Sequence, residues 1–273
     1  MRLYVANVGV NSSDARARGL RSPVFPDGTF EFVPIKEAAR FARAPGIQRY
    51  EDLPSWTGRY RNIGEILPTR VRAYRAHADP EFGTFTYGDV TSPRASALRR
   101  IEPGDSLWFL ARLWSHDGNG WTGRSAFYFV GYLDVEDNIA FDGLRSAAVL
   151  SPRLGANAHV RRLRAGSSER FRVIAGSSVS ARFARALEIT PIVAAHLFGG
   201  TYDTASGNFT ADGQVLTNRN GKPRRLERFG SITRTIQCFL TDAVVEHAPH
   251  LSALGALAKA SGKAKAPALA PIP

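Results

Sequence analysis

The chain contains few thiols and no long apolar segment. Of its 273 residues only Cys238 is a cysteine, which excludes an intramolecular disulfide and any metal site built from several cysteines. No apolar run is long enough to span a bilayer, and the first ten residues, MRLYVANVGV, lack the charged-then-apolar plan of a signal peptide. These absences favour a cytoplasmic protein without a membrane partner.

Several catalytic signatures are also missing. The sequence has no serine or cysteine nucleophile motif, no His-x-x-x-His or His–Cys metal spacing, and no His-x-Glu with Pro-Cys-x-x-Cys signature of a deaminase. We therefore expect neither a metal nor a cofactor, and the sequence shows no active site by itself.

Positive charge, in contrast, is abundant and unevenly distributed. The net charge is +12, and arginine outnumbers lysine 31 to 5. Residues 144–185 contain nine arginines and one glutamate, and residues 219–234 contain five arginines, one lysine and one glutamate. A GC-biased genome would also raise the arginine count, but it would not remove acids from the same segments. Such clustering is typical of nucleic-acid binding through phosphate contacts, and it suggests these phosphate-binding candidates: Arg161, Arg162, Arg164, Arg224 and Arg225.

Residues 101–136 form the stretch around which the rest of the chain is organised. Residues 106–113 and 126–135 are apolar almost throughout, which predicts two strands covered on both faces, joined by a loop at 115–124. Gly118, Gly120 and Gly123 match the G-x-G-x-x-G fingerprint of dinucleotide binding. That fingerprint requires a helix after the glycines, and a strand pattern follows here, so we reject a dinucleotide site.

The remaining patterns predict a mixed α+β fold. Strands are predicted at 3–8, 171–175 and 231–240, and the main helix at 178–198, kinked or split by Pro191. Strands and helices do not alternate regularly, so we expect one domain over residues 1–245, built on a curved sheet or small β-barrel with decorating helices and long loops. A C-terminal helix is possible at 246–260, and residues 261–273 have the low complexity of a disordered tail.

Two resemblances refine this prediction. The hairpin strings GDSLWFLARL and FYFVGYLDVE resemble the PUA-like superfamily, which includes the ASCH, EVE and YTH domains. The strings VANVGVNSS, RSPVFPDGTFEFVPI, HADPEFGTFTYGD and NAHVRR resemble the third family of nucleotide-modification-associated domains, from about residue 1 to about residue 245. These resemblances imply a PUA-like barrel that recognises, or acts on, modified nucleic-acid bases.

A pocket for a flipped base needs aromatic rings for stacking and polar groups for the base edge. Loop-like positions and strand ends suggest these candidates: Asn7, Asn11, Ser22, Glu31, Trp56, Tyr87, Trp114 and Trp121. The alternative for each is a structural role, because most aromatic residues lie in cores and asparagine commonly caps helices or forms turns.

Acid–base chemistry, if present, would come from a different set of residues. The candidates are His77, Asp79 and Glu81 in the string HADPE, together with His159. Our first hypothesis is a module that binds a modified or flipped base in nucleic acid, DNA before RNA. The second is an enzyme that acts on a nucleotide or base in a modification pathway. The two differ in whether several titratable groups converge at one point, and the sequence leaves the oligomeric state open.

Overall fold

The structure is a computed structural model that describes residues 2–91, 93–141, 151–218, 221–226 and 237–240. The predicted helix at 246–260 and tail at 261–273 lie outside the described residues. The described strands are β1 (Leu3–Val8), β2 (Ser22–Val24), β3 (Ile35–Lys36), β4 (Ala76–His77), β5 (Thr86–Val90), β6 (Ser106–His116), β7 (Trp121–Phe141), β8 (Phe171–Gly176), β9 (Ala181–Glu188), β10 (Thr201–Asp203), β11 (Asn208–Ala211), β12 (Gln214–Val215) and β13 (Gln237–Leu240).

Helices in the described part of the chain are few and short. The α-helices are α1 (Ser12–Arg18), α2 (Thr69–Arg72), α3 (Pro152–Gly155), α4 (Ala158–Arg164) and α5 (Pro191–Phe198). The 3-10 helices are Ala39–Phe41, Tyr50–Asp52, Ile63–Ile66 and Pro93–Arg100. None of these helices has the length and apolar character needed to cross a membrane.

One large sheet dominates the fold, and the β6–β7 hairpin lies at its centre. The strand order is β13-β1-β6-β7-β8-β5, with β2 also pairing with β6 and β9 also pairing with β7. Strands β1 and β2 run parallel to β6, whereas β6, β7, β8 and β5 pair antiparallel in succession. The mixed α+β class is thus confirmed. The described strands do not close on themselves, so the predicted barrel is not formed among them.

The hairpin strands are longer than predicted and the loop is shorter. Leu113 of β6 pairs with Ala126 of β7, and the pairing continues with Trp114 opposite Ser125 and His116 opposite Trp121. Only residues 117–120 turn the chain, with the Asp117 amide donating to the Gly120 carbonyl over 3.1 Å. The predicted ten-residue loop is therefore wrong, because cross-strand pairing extends into its polar ends. A strand follows the glycines, which confirms the rejection of a dinucleotide site.

The predicted helix at 178–198 is also wrong in its first half. Residues 181–188 form strand β9, which pairs with β7, and a helix begins only at Pro191. Alanine and arginine favour helices, but tertiary pairing overrides a weak local preference. In the strand, Ala181, Arg182 and Phe183 are buried.

Buried residues form a main core on the hairpin and smaller cores beside it. The second core includes Trp114 and Tyr50. A third core joins Val160 and Leu163 of α4 to Phe171 and Val173 of β8. Helix α4 therefore packs over the β5–β8 edge of the sheet, which places its first turn next to the segment between β4 and β5.

Candidate functional site

Three of the four acid–base candidates meet in a buried group. One ligating atom each of His77, Asp79 and His159 lies within 4.8 Å of the other two. His159 Nε2 is 3.5 Å from Asp79 Oδ2, and the two imidazole rings meet edge to face with centroids 4.9 Å apart. We call these three residues the His–Asp cluster. They are the only such group among the described residues whose spacing could hold a metal ion, although the sequence predicted none.

The first turn of α4 positions two members of the His–Asp cluster. Asn157 caps the helix, with its Oδ1 accepting from the amide of His159 over 3.0 Å. The Asn157 side-chain amide donates to Asp79 Oδ1 over 3.3 Å. One side chain thus fixes the start of the helix and holds His159 next to Asp79, as a capping asparagine can.

Strand β5 holds the other side of Asp79. The amide of Gly88 donates to both Asp79 oxygens, over 3.1 and 3.0 Å. A Cβ at position 88 would lie 2.7 Å from Asn157 Oδ1 and 2.7 Å from His159 Cδ2. Glycine is therefore required for space here, because the helix residues press directly against the strand backbone.

His77 is held by an ion pair that the sequence did not reveal. His77 Nδ1 lies 3.1 Å from Glu37 Oε2, and Arg162 Nε donates to both oxygens of Glu37 over 3.1 and 3.2 Å. The Arg162 terminal amine also donates to Glu37 Oε1. Glu37 and Arg162 are 125 positions apart, so no local spacing pattern could have paired them.

Burial and hydrogen bonds together shift the pKa values of this group. Burial alone would raise the pKa of Glu37, but hydrogen bonds from His77 and Arg162 outweigh it and lower that pKa to about 2. Burial lowers the pKa of His77 and, with His77 and Arg162 nearby, holds the pKa of His159 well below its usual range. Burial also raises the pKa of Asp79 well above its usual range, against the hydrogen bond from Gly88. Both histidines are thus neutral and Glu37 is charged at neutral pH.

A pocket lies on the other side of the same segment. It has about 630 Å³ of empty space, part of it open to solvent, and is lined by residues that include Phe32, Trp56, Phe82, Gln48 and Glu81. Ala78 and Pro80 also line it, so residues 77 and 79 contribute to the cluster while residues 78 and 80 form pocket wall. We call this cavity the Trp56 pocket.

Aromatic rings and one carboxyl group define the Trp56 pocket. Trp56 and Phe82 meet at right angles with centroids 6.4 Å apart, and Phe32 meets Phe82 in the same way at 5.8 Å. Burial raises the pKa of Glu81, although a hydrogen bond from the Gly83 amide and the charge of Arg161 oppose the shift. The rings offer stacking surface, and Glu81 offers a polar group among the lining residues.

Glu31, a base-binding candidate, instead anchors the loop that carries Trp56. Its carboxylate is fully buried and accepts from the amides of Trp56 and Thr57, each over 2.9 Å, and from the hydroxyls of Ser55 and Thr57, each over 2.5 Å. Arg182 lies over the Trp56 ring, with its guanidinium carbon 4.7 Å from the ring centroid. In the sequence, Arg182 stood out only as one of the nine arginines of residues 144–185.

The other base-binding candidates do not line the Trp56 pocket, and their predicted role stays a prediction. Asn11 caps α1, accepting from the amides of Ser13 and Asp14, and buried Ser22 accepts from the amide of Val33. Asn7 lies on β1, Tyr87 packs on Phe109 in the main core, Trp114 lies in the second core, and Trp121 packs beside it under Arg21.

The phosphate-binding candidates occupy two places. On α4, Arg162 is committed to Glu37, whereas Arg161 donates to the Gly46 carbonyl over 2.6 Å and lies within electrostatic reach of Glu81 and Arg164. Arg224 and Arg225 lie beyond α5, where Arg224 donates to the Thr217 carbonyl and Arg225 donates to Asn208 Oδ1. Arg161 is therefore the candidate associated with the Trp56 pocket.

Comparison with known proteins gives one match. A family model described as nucleotide modification associated domain 3 matches residues 2–234, which include the His–Asp cluster and every residue named for the Trp56 pocket. No curated protein and no solved structure matches the chain. The family predicted from the four sequence strings is thus confirmed, and the chain belongs to the nucleotide modification associated domain 3 family.

Proposed function

We propose that the Trp56 pocket binds the base of a modified nucleotide, either free or flipped out of nucleic acid, with DNA preferred over RNA. The observation that carries this proposal is a partly open pocket walled by Phe32, Trp56 and Phe82 with Glu81 among its lining residues. Base pockets combine such stacking surfaces with a few groups that hydrogen-bond the base edge. The family description, association with nucleotide modification, points to the same class of ligand.

Arg161 supplies the phosphate contact in this proposal. It is on α4, within electrostatic reach of both Glu81 at the pocket and Arg164. Two neighbouring arginines favour an anion, because each phosphate they neutralise releases counterions. The resemblance of the hairpin to PUA-like domains supports a base pocket on a sheet scaffold, as those domains generally bind RNA or modified bases.

The test is a binding panel at two salt concentrations. The 273-residue chain is titrated with nucleosides, nucleotides and short single- and double-stranded DNA and RNA, unmodified and carrying common base modifications. We expect Trp56→Ala to weaken binding by about 5- to 150-fold, since base stacking contributes about 1–3 kcal/mol. Trp121→Ala is the matched comparison, because Trp121 is also a partly exposed base-binding candidate but does not line the pocket. Wild-type affinity in Trp56→Ala would exclude this pocket.

A second variant pair tests the phosphate contact. Arg161→Ala should weaken nucleotide and oligonucleotide binding and reduce the salt slope, with no effect on nucleosides, which carry no phosphate. Arg16→Ala removes the same charge from exposed α1 and should leave both the affinity for nucleotides and oligonucleotides and the salt slope unchanged. An unchanged slope in Arg161→Ala would contradict the assigned role.

The second candidate function is an enzyme acting on a nucleotide or base, and the convergence of His77, Asp79 and His159 favours it. Converging titratable groups with shifted pKa values are typical of catalytic sites. Incubation with the same panel, followed by mass spectrometry, should reveal a product that Asp79→Asn does not form. Binding without any mass change would favour the recognition module.

A further inference from the structure

We propose that His77, Asp79 and His159 bind one divalent transition-metal ion of the class that includes Zn²⁺, Co²⁺ and Fe²⁺. Two imidazoles and one carboxylate form a donor set that suits these ions. The proposal concerns a site other than the Trp56 pocket and does not depend on base binding.

The distances agree with this donor set. Ligand atoms about 2.1 Å from an ion are roughly 3.0–3.5 Å apart in octahedral or tetrahedral geometry. His159 Nε2 and Asp79 Oδ2 already have a separation of 3.5 Å, and all three ligand atoms lie within 4.8 Å of one another. A movement of about 1 Å in the remaining side chain would therefore complete the site.

Two residues of the His–Asp cluster, His77 and Asp79, also have the outer support that metal ligands commonly have. Glu37 accepts from His77 Nδ1, which leaves the lone pair on Nε2 free for an ion. Asp79 is oriented by Gly88 and Asn157. Carboxylate–histidine pairs of this kind fix the tautomer and the ring orientation of a ligand.

A further observation is an unsatisfied buried atom at the site. His159 is 5 % exposed, and its Nδ1 has no hydrogen-bond partner although it is fully buried. Its Nε2 lies 3.5 Å from Asp79 Oδ2, which is long for a hydrogen bond. A histidine buried for structural reasons normally satisfies its ring nitrogens. The ring of His159 is thus not held by ordinary hydrogen bonds, and an ion on Nε2 would hold it next to Asp79.

Three protein ligands leave coordination positions open, which distinguishes this site from a closed structural centre. Residues 78 and 80 line the Trp56 pocket while residues 77 and 79 belong to the cluster. The ion would therefore lie directly behind the wall of that pocket.

The experiment uses the 273-residue chain, stripped with a chelator and titrated with Co²⁺ alone. We expect one Co²⁺ per chain, visible absorption bands of a nitrogen–oxygen site, and competition by Zn²⁺. Asp79→Asn and His159→Gln should each weaken binding by at least about 100-fold, because loss of an outer-shell partner alone costs about 10- to 100-fold. His116→Ala and His247→Ala/His250→Ala are controls that should keep wild-type affinity.

A measurement on the wild type covers the case in which a cluster variant does not fold. In ¹⁵N-histidine-labelled protein, Zn²⁺ should shift the ring resonances of two of the six histidines. The two signals should be absent from or altered in folded variants of His77 or His159 and unchanged in His116→Ala. No binding, or shifts that disappear in His247→Ala/His250→Ala, would overturn the proposal.

Discussion

Replacing Glu31 with glutamine should destabilise the protein and release the loop that forms one wall of the Trp56 pocket. The change keeps the side-chain volume, replaces one carboxylate oxygen with an amide NH2 group and removes the negative charge. In the wild type Oε1 accepts three hydrogen bonds, from Ser55 Oγ, Thr57 N and Thr57 Oγ1, and Oε2 accepts one from Trp56 N.

The magnitude follows from those four bonds. The best placement of glutamine keeps its oxygen at the position of Oε1, so its NH2 group faces the backbone amide of Trp56, donor against donor. The charge-assisted hydrogen bond from Trp56, about 1.5–3 kcal/mol, is lost, and the Trp56 amide is left without an acceptor. The three remaining bonds weaken to neutral strength, and Arg182, which is 3 % exposed, loses the charge of Glu31 nearby. We expect a decrease of about 3 kcal/mol or more in the free energy of unfolding.

Urea denaturation and amide exchange measure the two effects separately. With an m value of about 3 kcal/mol/M, the urea midpoint of Glu31→Gln should fall by about 1 M. Exchange should accelerate most in a peptide that covers residues 55–58. Glu102→Gln makes the same change at a side chain that is 69 % exposed and should alter stability by less than about 0.5 kcal/mol. If Glu31→Gln were no more destabilising than this control, the anchoring role would be refuted.

Three further predictions concern the surroundings of the site. Gly88→Ala should lower the free energy of unfolding by about 1–3 kcal/mol, because its Cβ would press against Asn157 and His159, and it should weaken Co²⁺ binding. Gly120→Ala, in open space, should change neither stability nor Co²⁺ affinity. Asn11→Ala should lower the free energy of unfolding, measured by urea denaturation, by about 1 kcal/mol, because the amides of the first turn of α1 lose the side chain that caps them. Burial raises the pKa of Asp89 to about 6, so the folded state keeps a proton that the unfolded state releases near pH 4. Wild-type stability should therefore fall relative to Asp89→Asn as the pH rises from about 4 to about 6, and parallel pH profiles of the two proteins would contradict this.

Local patterns in the sequence determined the centre of the fold and the segment that carries the site. Apolar runs on either side of residues 115–124 predicted the hairpin, and the strand after the glycines excluded a dinucleotide site. The string HADPE contained two members of the His–Asp cluster, and four longer strings predicted the family. Such features are readable because a strand or a short motif is a property of neighbouring residues.

Tertiary structure alone decided which of those residues meet. It placed Asn157 next to Asp79, 78 positions earlier, and Glu37 next to Arg162, 125 positions later. It also turned residues 181–188 into a strand, burying Arg182 against Trp56. Sheet order and the packing of α4 on β5 bring these groups together, and neither is encoded by local periodicity. Glu31 illustrates the same limit: alternation predicts which face it occupies, but only the fold determines the four donors that surround it.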